Sequence, residues 1–139
     1  MTGPKRYLVD TNILLRFLTG EPAGHAAAAR KLFLRAQAGE IVLDISPVIV
    51  AETFYTLLSF YGAERKAVAE KLGTLLQQRG VKLRESSQVL AALTRLQTIN
   101  VAFADAFLTA GAAEEKVPIA SFDRDFDKFK DVTRFEPTT

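Results

Sequence analysis

A chain of 139 residues, 48% hydrophobic and 24% charged, has the size of one ordinary domain and enough apolar matter for a packed core. With no cysteine and a lone histidine, His25, it excludes a disulfide framework, thiolate metal sites and a multi-histidine zinc centre. The balance of 18 basic against 16 acidic residues, net +2, permits nucleic-acid binding without arguing for it.

The N-terminal "MTGPKRYLVD" lacks the apolar core of a signal peptide. No segment approaches the roughly 18 apolar residues of a membrane span. The expectation is a cytoplasmic protein with no membrane partner. Any metal must be held mainly by carboxylates, which points to hard ions such as Mg²⁺ or Mn²⁺.

In chain order, Tyr7–Val9 is the first short apolar run and predicts a buried strand, ending in Asp10. Thr11 and Asn12 follow and can begin a helix. Gly20-Glu21-Pro22 breaks the chain before the alanine-rich helix Ala23–Ala38. Ile41–Ile45 predicts the second buried strand, and Pro47–Tyr61 the next helix, with Ser46 to cap it and Pro47 in its first turn. Helices over Glu64–Gln78 and Ser86–Gln97 flank a third strand, Val81–Leu83. A last helix, Ala104–Glu115, precedes a fourth strand, Val117–Ala120, and a weaker one, Val132–Phe135. Buried strands alternating with helices imply a single three-layer α/β/α domain, residues 1–139, around a central parallel sheet.

In such sheets the chemistry lies beyond the carboxyl ends of the strands. Asp10 stands there, with a helix cap and a metal ligand both open as its role. Glu52 falls on the polar side of its helix with Thr53, Thr56 and Ser59, opposite an apolar side that includes Phe54 and Tyr55; alone it reads as a solvated glutamate in the first turns after a strand. Asp105 has small or apolar neighbours at helical spacing, an expensive setting for an uncompensated charge; its other reading is a cap. In "IASFDRDFDKFKD", Asp123 follows a strand, whereas Asp127 and Asp131 read as part of a solvated charge run. Asp44 lies within a strand pattern and is set aside. Several carboxylates converging at one sheet end repel one another, and a divalent cation removes that cost.

Four motifs in this order, "LVDTNILLRFL", "SPVIVAETFYTL", "FADAFLTAGA" and "IASFDRDFDKF", resemble the PIN-domain family and, within it, the VapC-type toxins. Each is loose alone; the ordered set covers nearly the whole chain. The resemblance implies a metal-dependent endoribonuclease with Asp10, Glu52, Asp105 and Asp123 as its acidic tetrad, holding Mg²⁺ or Mn²⁺. It makes Asn12 a polar partner of Asp10 and Ser121 the hydroxyl before the last acid, while Asp125 assists or replaces Asp123. Phe122 departs from the family, which commonly has a polar or basic residue there. Arg16, Arg124 and Lys128 are candidate contacts to the RNA backbone, or ordinary surface charge. The partners implied are a VapB-like antitoxin and a second copy in a homodimer. Two competing readings are a haloacid-dehalogenase-like phosphatase, disfavoured because Asn12 stands where a second aspartate is needed, and a non-catalytic RNA- or protein-binding domain. A PIN nuclease outside any toxin–antitoxin pair is a third. No glycine-rich phosphate loop follows any strand.

Overall fold

The computed structural model describes residues 3–138. Its elements run β1 (Lys5–Leu8), α1 (Thr11–Thr19), α2 (Ala23–Gln37), β2 (Ile41–Ile45), α3 (Pro47–Ser59), α4 (Arg65–Leu76) and β3 (Val81–Leu83). There follow α5 (Ser86–Leu96), α6 (Phe103–Glu115), β4 (Ile119–Ala120), a 3-10 turn over Arg124–Lys128, and β5 (Arg134–Phe135). The expected α/β alternation is present, and the strands pair in parallel. β2 is central, with Leu8 of β1 opposite Asp44 on one side and Leu83 of β3 opposite Ile45 on the other. β4 and β5 form a separate parallel pair.

Local chemistry explains where the helices start. Ser46 is extended and Pro47 occupies the first helical position of α3, where its missing N–H costs nothing. The hydroxyl of Ser46, expected as a cap, makes no such bond. Glu64 does cap: its carboxylate accepts from the Lys66 and Ala67 amides at 3.2 Å each, so α4 begins one residue later than expected. Gly20, at φ +75°, ends α1 in the left-handed turn that its lack of a Cβ permits.

The core gathers Leu14 of α1, Phe33 of α2, Leu43 and Ile45 of β2, Phe54 of α3 and Leu72 of α4, all 2% exposed or less. Two expectations need correction. All four residues of β1 are exposed, Leu8 at 70%, and no residue of β3 is fully buried, because both strands are edges of the sheet and only β2 is interior. On α3, Tyr55 is 71% exposed while Thr53 is fully buried. Thr53 is tolerated inside because its hydroxyl donates to the Ile49 carbonyl at 2.7 Å.

Asp44 is the other surprise. Its side chain is buried between two arginines, with Arg84 Nε at 2.9 Å and Arg6 Nε at 3.5 Å. It therefore ties β1, β2 and the segment after β3 together from the middle strand. Asp44→Asn keeps the volume but loses the charge and turns an acceptor into a donor facing guanidinium groups. The arginines are half-exposed and can return to water, so the expected loss is about 2–3 kcal/mol. Urea unfolding measures it.

Candidate active site

Asp105 is the third residue of α6, whose N-cap is Ala102, a residue with no side chain able to cap. A carboxylate in the first turn complements the helix dipole, and a hydrogen bond from the Ala102 backbone helps to hold it. The N-cap is Ala102, so Asp105 supports the helix start from within its first turn and is not the cap itself. That support does not compensate the charge. Burial pushes the Asp105 carboxyl up, the nearby Asp123 charge adds to this, Asp125 adds further, and the Ala102 hydrogen bond opposes them. The net direction is upward.

Asp123 arrives from β4 and begins the 3-10 turn. Its Oδ1 accepts from the Asp125 amide at 2.8 Å, while its own amide donates to Ser121 Oγ at 2.9 Å. Ser121 thereby fixes the turn that carries the acid. Arg134 of β5 braces the same turn from behind, donating to the Ser121 carbonyl at 3.2 Å, to Asp127 at 3.0 Å and to Glu136 at 2.7 Å. Asp127 and Asp131 are solvent-exposed, as the sequence reading has them, and each is also paired with an arginine. Hydrogen bonds from Arg134 and Arg95 hold their carboxyls below the usual range, and the Arg95–Asp131 pair ties α5 to the segment before β5. Lys128 lies 3.4 Å from Asp125 and 3.5 Å from the Asn100 carbonyl.

Asp10 occupies the N-cap of α1 in extended backbone, yet its side chain makes no cap hydrogen bond. The helix start leaves its carboxylate free and exposed. Thr11, next in the chain, is buried with its Oγ1 unpaired, and Asn12 is exposed in the first turn of α1. Glu52 is exposed on the outer stripe of α3 that also carries Val48 and Tyr55. Arg16 is engaged internally, donating to the Glu21 carbonyl at 3.2 Å and the Tyr61 hydroxyl at 3.3 Å. Arg124 is exposed, and its charge helps to lower Asp127.

The structure thus groups Asp105 with Asp123 and Asp125, close enough for their charges to act on one another, with Ser121 and Lys128 beside them. Asp10 follows a strand of the three-stranded sheet by two residues, and Asp123 follows a strand of the two-stranded one. Among the described residues no three histidine, aspartate or glutamate side chains gather tightly enough to hold one ion. The donors present still fit Mg²⁺, which is commonly held by one or two carboxylates while keeping several waters. Among the described residues, neither Asp105 nor Asp123 has a basic side chain within salt-bridge distance to compete for that role. Sequence reading missed the bracing by Arg134. An arginine two residues before a carboxylate and seven after another was its faint signal.

Parallel α/β architecture with unpaired carboxylates on the turn after a strand and the first turn of a helix defines an acidic-site α/β protein. A sequence profile of the PIN domain matches residues 7–132, and the chain belongs to the PIN-domain family. PIN domains are typically nucleases that use a divalent metal. A search of curated protein sequences found no match. Among solved structures the chain is similar to one in the crystal structure of VapBC2 from Rickettsia felis bound to a DNA fragment from its promoter. The two are 16% identical, with a TM-score of 0.40, over 96% of this chain and 99% of that one. Among the described residues no helix is long and apolar enough to cross a membrane.

Proposed function

We propose that the chain is a single-domain, metal-dependent endoribonuclease and the toxin of a VapBC-type toxin–antitoxin pair, acting in the cytoplasm. Its membership of the PIN family supports the nuclease chemistry, and the ordered motifs around Asp10, Glu52, Asp105 and Asp123 support the toxin class. The observation that carries the reading is the grouping of Asp105 with Asp123 and Asp125, where neither Asp105 nor Asp123 has a basic partner within salt-bridge distance among the described residues. Such crowding disfavours the folded protein, and a bound cation relieves it.

Asp105 and Asp123 would hold a Mg²⁺ or Mn²⁺ ion, with Asp10 and Glu52 as the further acids of the site. Bound there, the ion lowers the pKa of a water nucleophile and stabilises charge on the phosphoryl oxygens. The chain's own residues do the positioning. Ser121 holds the turn of Asp123, and Asn12 supports Asp10. Lys128 and Arg124 offer positive charge to the RNA backbone, and Asp125 keeps Lys128 beside the acids. Arg16, held by Tyr61 and the Glu21 carbonyl, serves the RNA less directly. Exposed Val48 and Phe60 on and just after α3 supply apolar surface for a homodimer or a VapB-like antitoxin.

Chelation tests the chemistry. Cleavage of single-stranded RNA should fall at least about 100-fold in EDTA and return with Mg²⁺ or Mn²⁺. Undiminished cleavage in EDTA by protein stripped of metal would sink the reading. Expression without a partner should arrest growth, and Asp10→Asn should remove the arrest; harmless expression of a protein that still cuts RNA favours a nuclease outside a toxin pair.

A further inference from the structure

A cavity of ≈ 570 Å³ opens between α3 and the start of α6, lined mainly by apolar side chains including Phe54, Tyr55, Leu58 and Phe103. Two candidate acids adjoin it in the chain: Ala51 in its wall precedes Glu52, and Ala104 precedes Asp105. The cavity wall thus includes the chain neighbours of two candidate acids, though neither acid lines it itself.

The polar part of the wall is cationic. Arg65 sits over the Phe54 ring, 5.6 Å from its centroid, and donates to the Val101 carbonyl and to Asn100 Oδ1, each at 2.8 Å. Both partners are neutral, and no carboxylate among the described residues lies within salt-bridge distance of Arg65. Its position is also unfavourable for the helix, because a cation in the first turn of α4 opposes the helix dipole. Ala102, with no side chain to cap α6, lines the same wall with Phe103 and Ala104. Lys128 reaches the Asn100 carbonyl from the side of the acidic turn. Positive groups thus run from the acids to the cavity along the Asn100–Ala104 segment, and a half-buried guanidinium is left without an anion.

We propose that this cavity binds one unpaired nucleotide of the RNA substrate next to the bond that is cut. The inference rests on the endoribonuclease reading and extends it to recognition of single-stranded RNA. Tyr55, 71% exposed at the rim, supplies the face on which the base stacks. Arg65 supplies the charge for the adjoining phosphate. Asn100, whose oxygen is taken by Arg65, keeps its NH2 group as a donor to the base edge. An aromatic wall and a single unpaired cation suit a nucleotide, which carries both a flat apolar ring and a negative charge. An apolar peptide side chain would leave the guanidinium without a counter-charge.

The test is equilibrium binding of a fluorescein-labelled single-stranded RNA, by anisotropy, with Ca²⁺ replacing Mg²⁺ to suppress cleavage. Wild type, Tyr55→Ala and Arg65→Gln are compared after their thermal unfolding shows them folded. Tyr55 is exposed, so its variant should fold normally even if Arg65→Gln does not. Each folded variant should bind about tenfold more weakly. Replacing one base of the RNA by an abasic nucleotide should weaken wild type about as much, and Tyr55→Ala no further. If wild type binds and cuts RNA but Tyr55→Ala binds it equally well, the cavity serves another ligand, such as an apolar peptide. The inference is then wrong while the nuclease reading stands. If wild type neither binds nor cuts RNA, both fall together.

Discussion

Asp105→Asn is expected to lower RNA cleavage by about 10²–10³-fold while leaving the protein at least as stable as the wild type. The two halves of that result come from one cause. Burial and the charges of Asp123 and Asp125 raise the Asp105 carboxyl, so its ionised form is a net cost to the folded chain. An amide of the same shape removes the cost and, with it, one of the proposed ligands for the ion.

The sign of the pH dependence follows. A carboxyl raised in the folded state binds its proton more tightly there than in the unfolded chain, so stability falls as pH rises from the ordinary 3.8 through the raised value. Above that value the cost is present in full; below 3.8 it is absent. In metal-free buffer, the thermal midpoint of Asp105→Asn should therefore lie at or above that of the wild type near neutral pH. The gap should close as the solution is acidified. Added Mg²⁺ should stabilise wild type more than the variant, because an ion that binds only the folded site raises its stability by mass action. A variant that cuts RNA at the wild-type rate, or that unfolds well below wild type, contradicts this account of Asp105.

Gly80→Ala should be the most damaging of the small substitutions on stability grounds. Gly80 precedes β3 at φ +87°, and its carbonyl accepts from the Leu43 amide at 2.8 Å, so it belongs to the pairing of the central strand. A Cβ there would meet the Ala36 carbonyl oxygen at 2.3 Å and its carbon at 2.5 Å. These are backbone atoms of α2 and have no rotamer through which to move aside. The strain of the left-handed conformation adds about 1–2 kcal/mol, and displacing the end of a packed helix adds about 1–3 kcal/mol. A loss of several kcal/mol corresponds to a fall of roughly 10 °C or more in thermal midpoint for a chain of this size. Gly39→Ala is the control. Gly39 has φ +83°, but the nearest group to a new Cβ is the tip of Arg79 at 3.8 Å. Only the conformational strain applies, about 1 kcal/mol. Equal losses at the two positions would show that the contact with Ala36 is not what makes Gly80 necessary.

Gly80 also marks where sequence reading stops. As a breaker between a helix and a strand it is evident from the chain alone. That it must be glycine follows from α2, more than forty residues earlier, passing against it. The same division runs through the acids. Asp10 at the end of an apolar run, and Asp105 among small residues, stand out because local pattern places them at element ends. Asp44 does not, because its two arginine partners come from β1 and from the segment after β3, and no local pattern records that pairing. Tyr55 and Thr53 exchange their expected sides because α3 is apolar almost all round, so its periodicity cannot say which face meets the core.

By itself, the sequence determined the α/β alternation, the parallel pairing it requires, and which carboxylates are candidates for an acidic site. Those properties depend on residue type and short-range period. The tertiary structure decided which acids lie in one another's field, that β1 is an edge, that β4 and β5 pair apart, and that Arg65 has no carboxylate within salt-bridge distance among the described residues. Those are matters of distance between segments far apart in the chain, where burial and neighbouring charge are set only once the helices and sheets have packed.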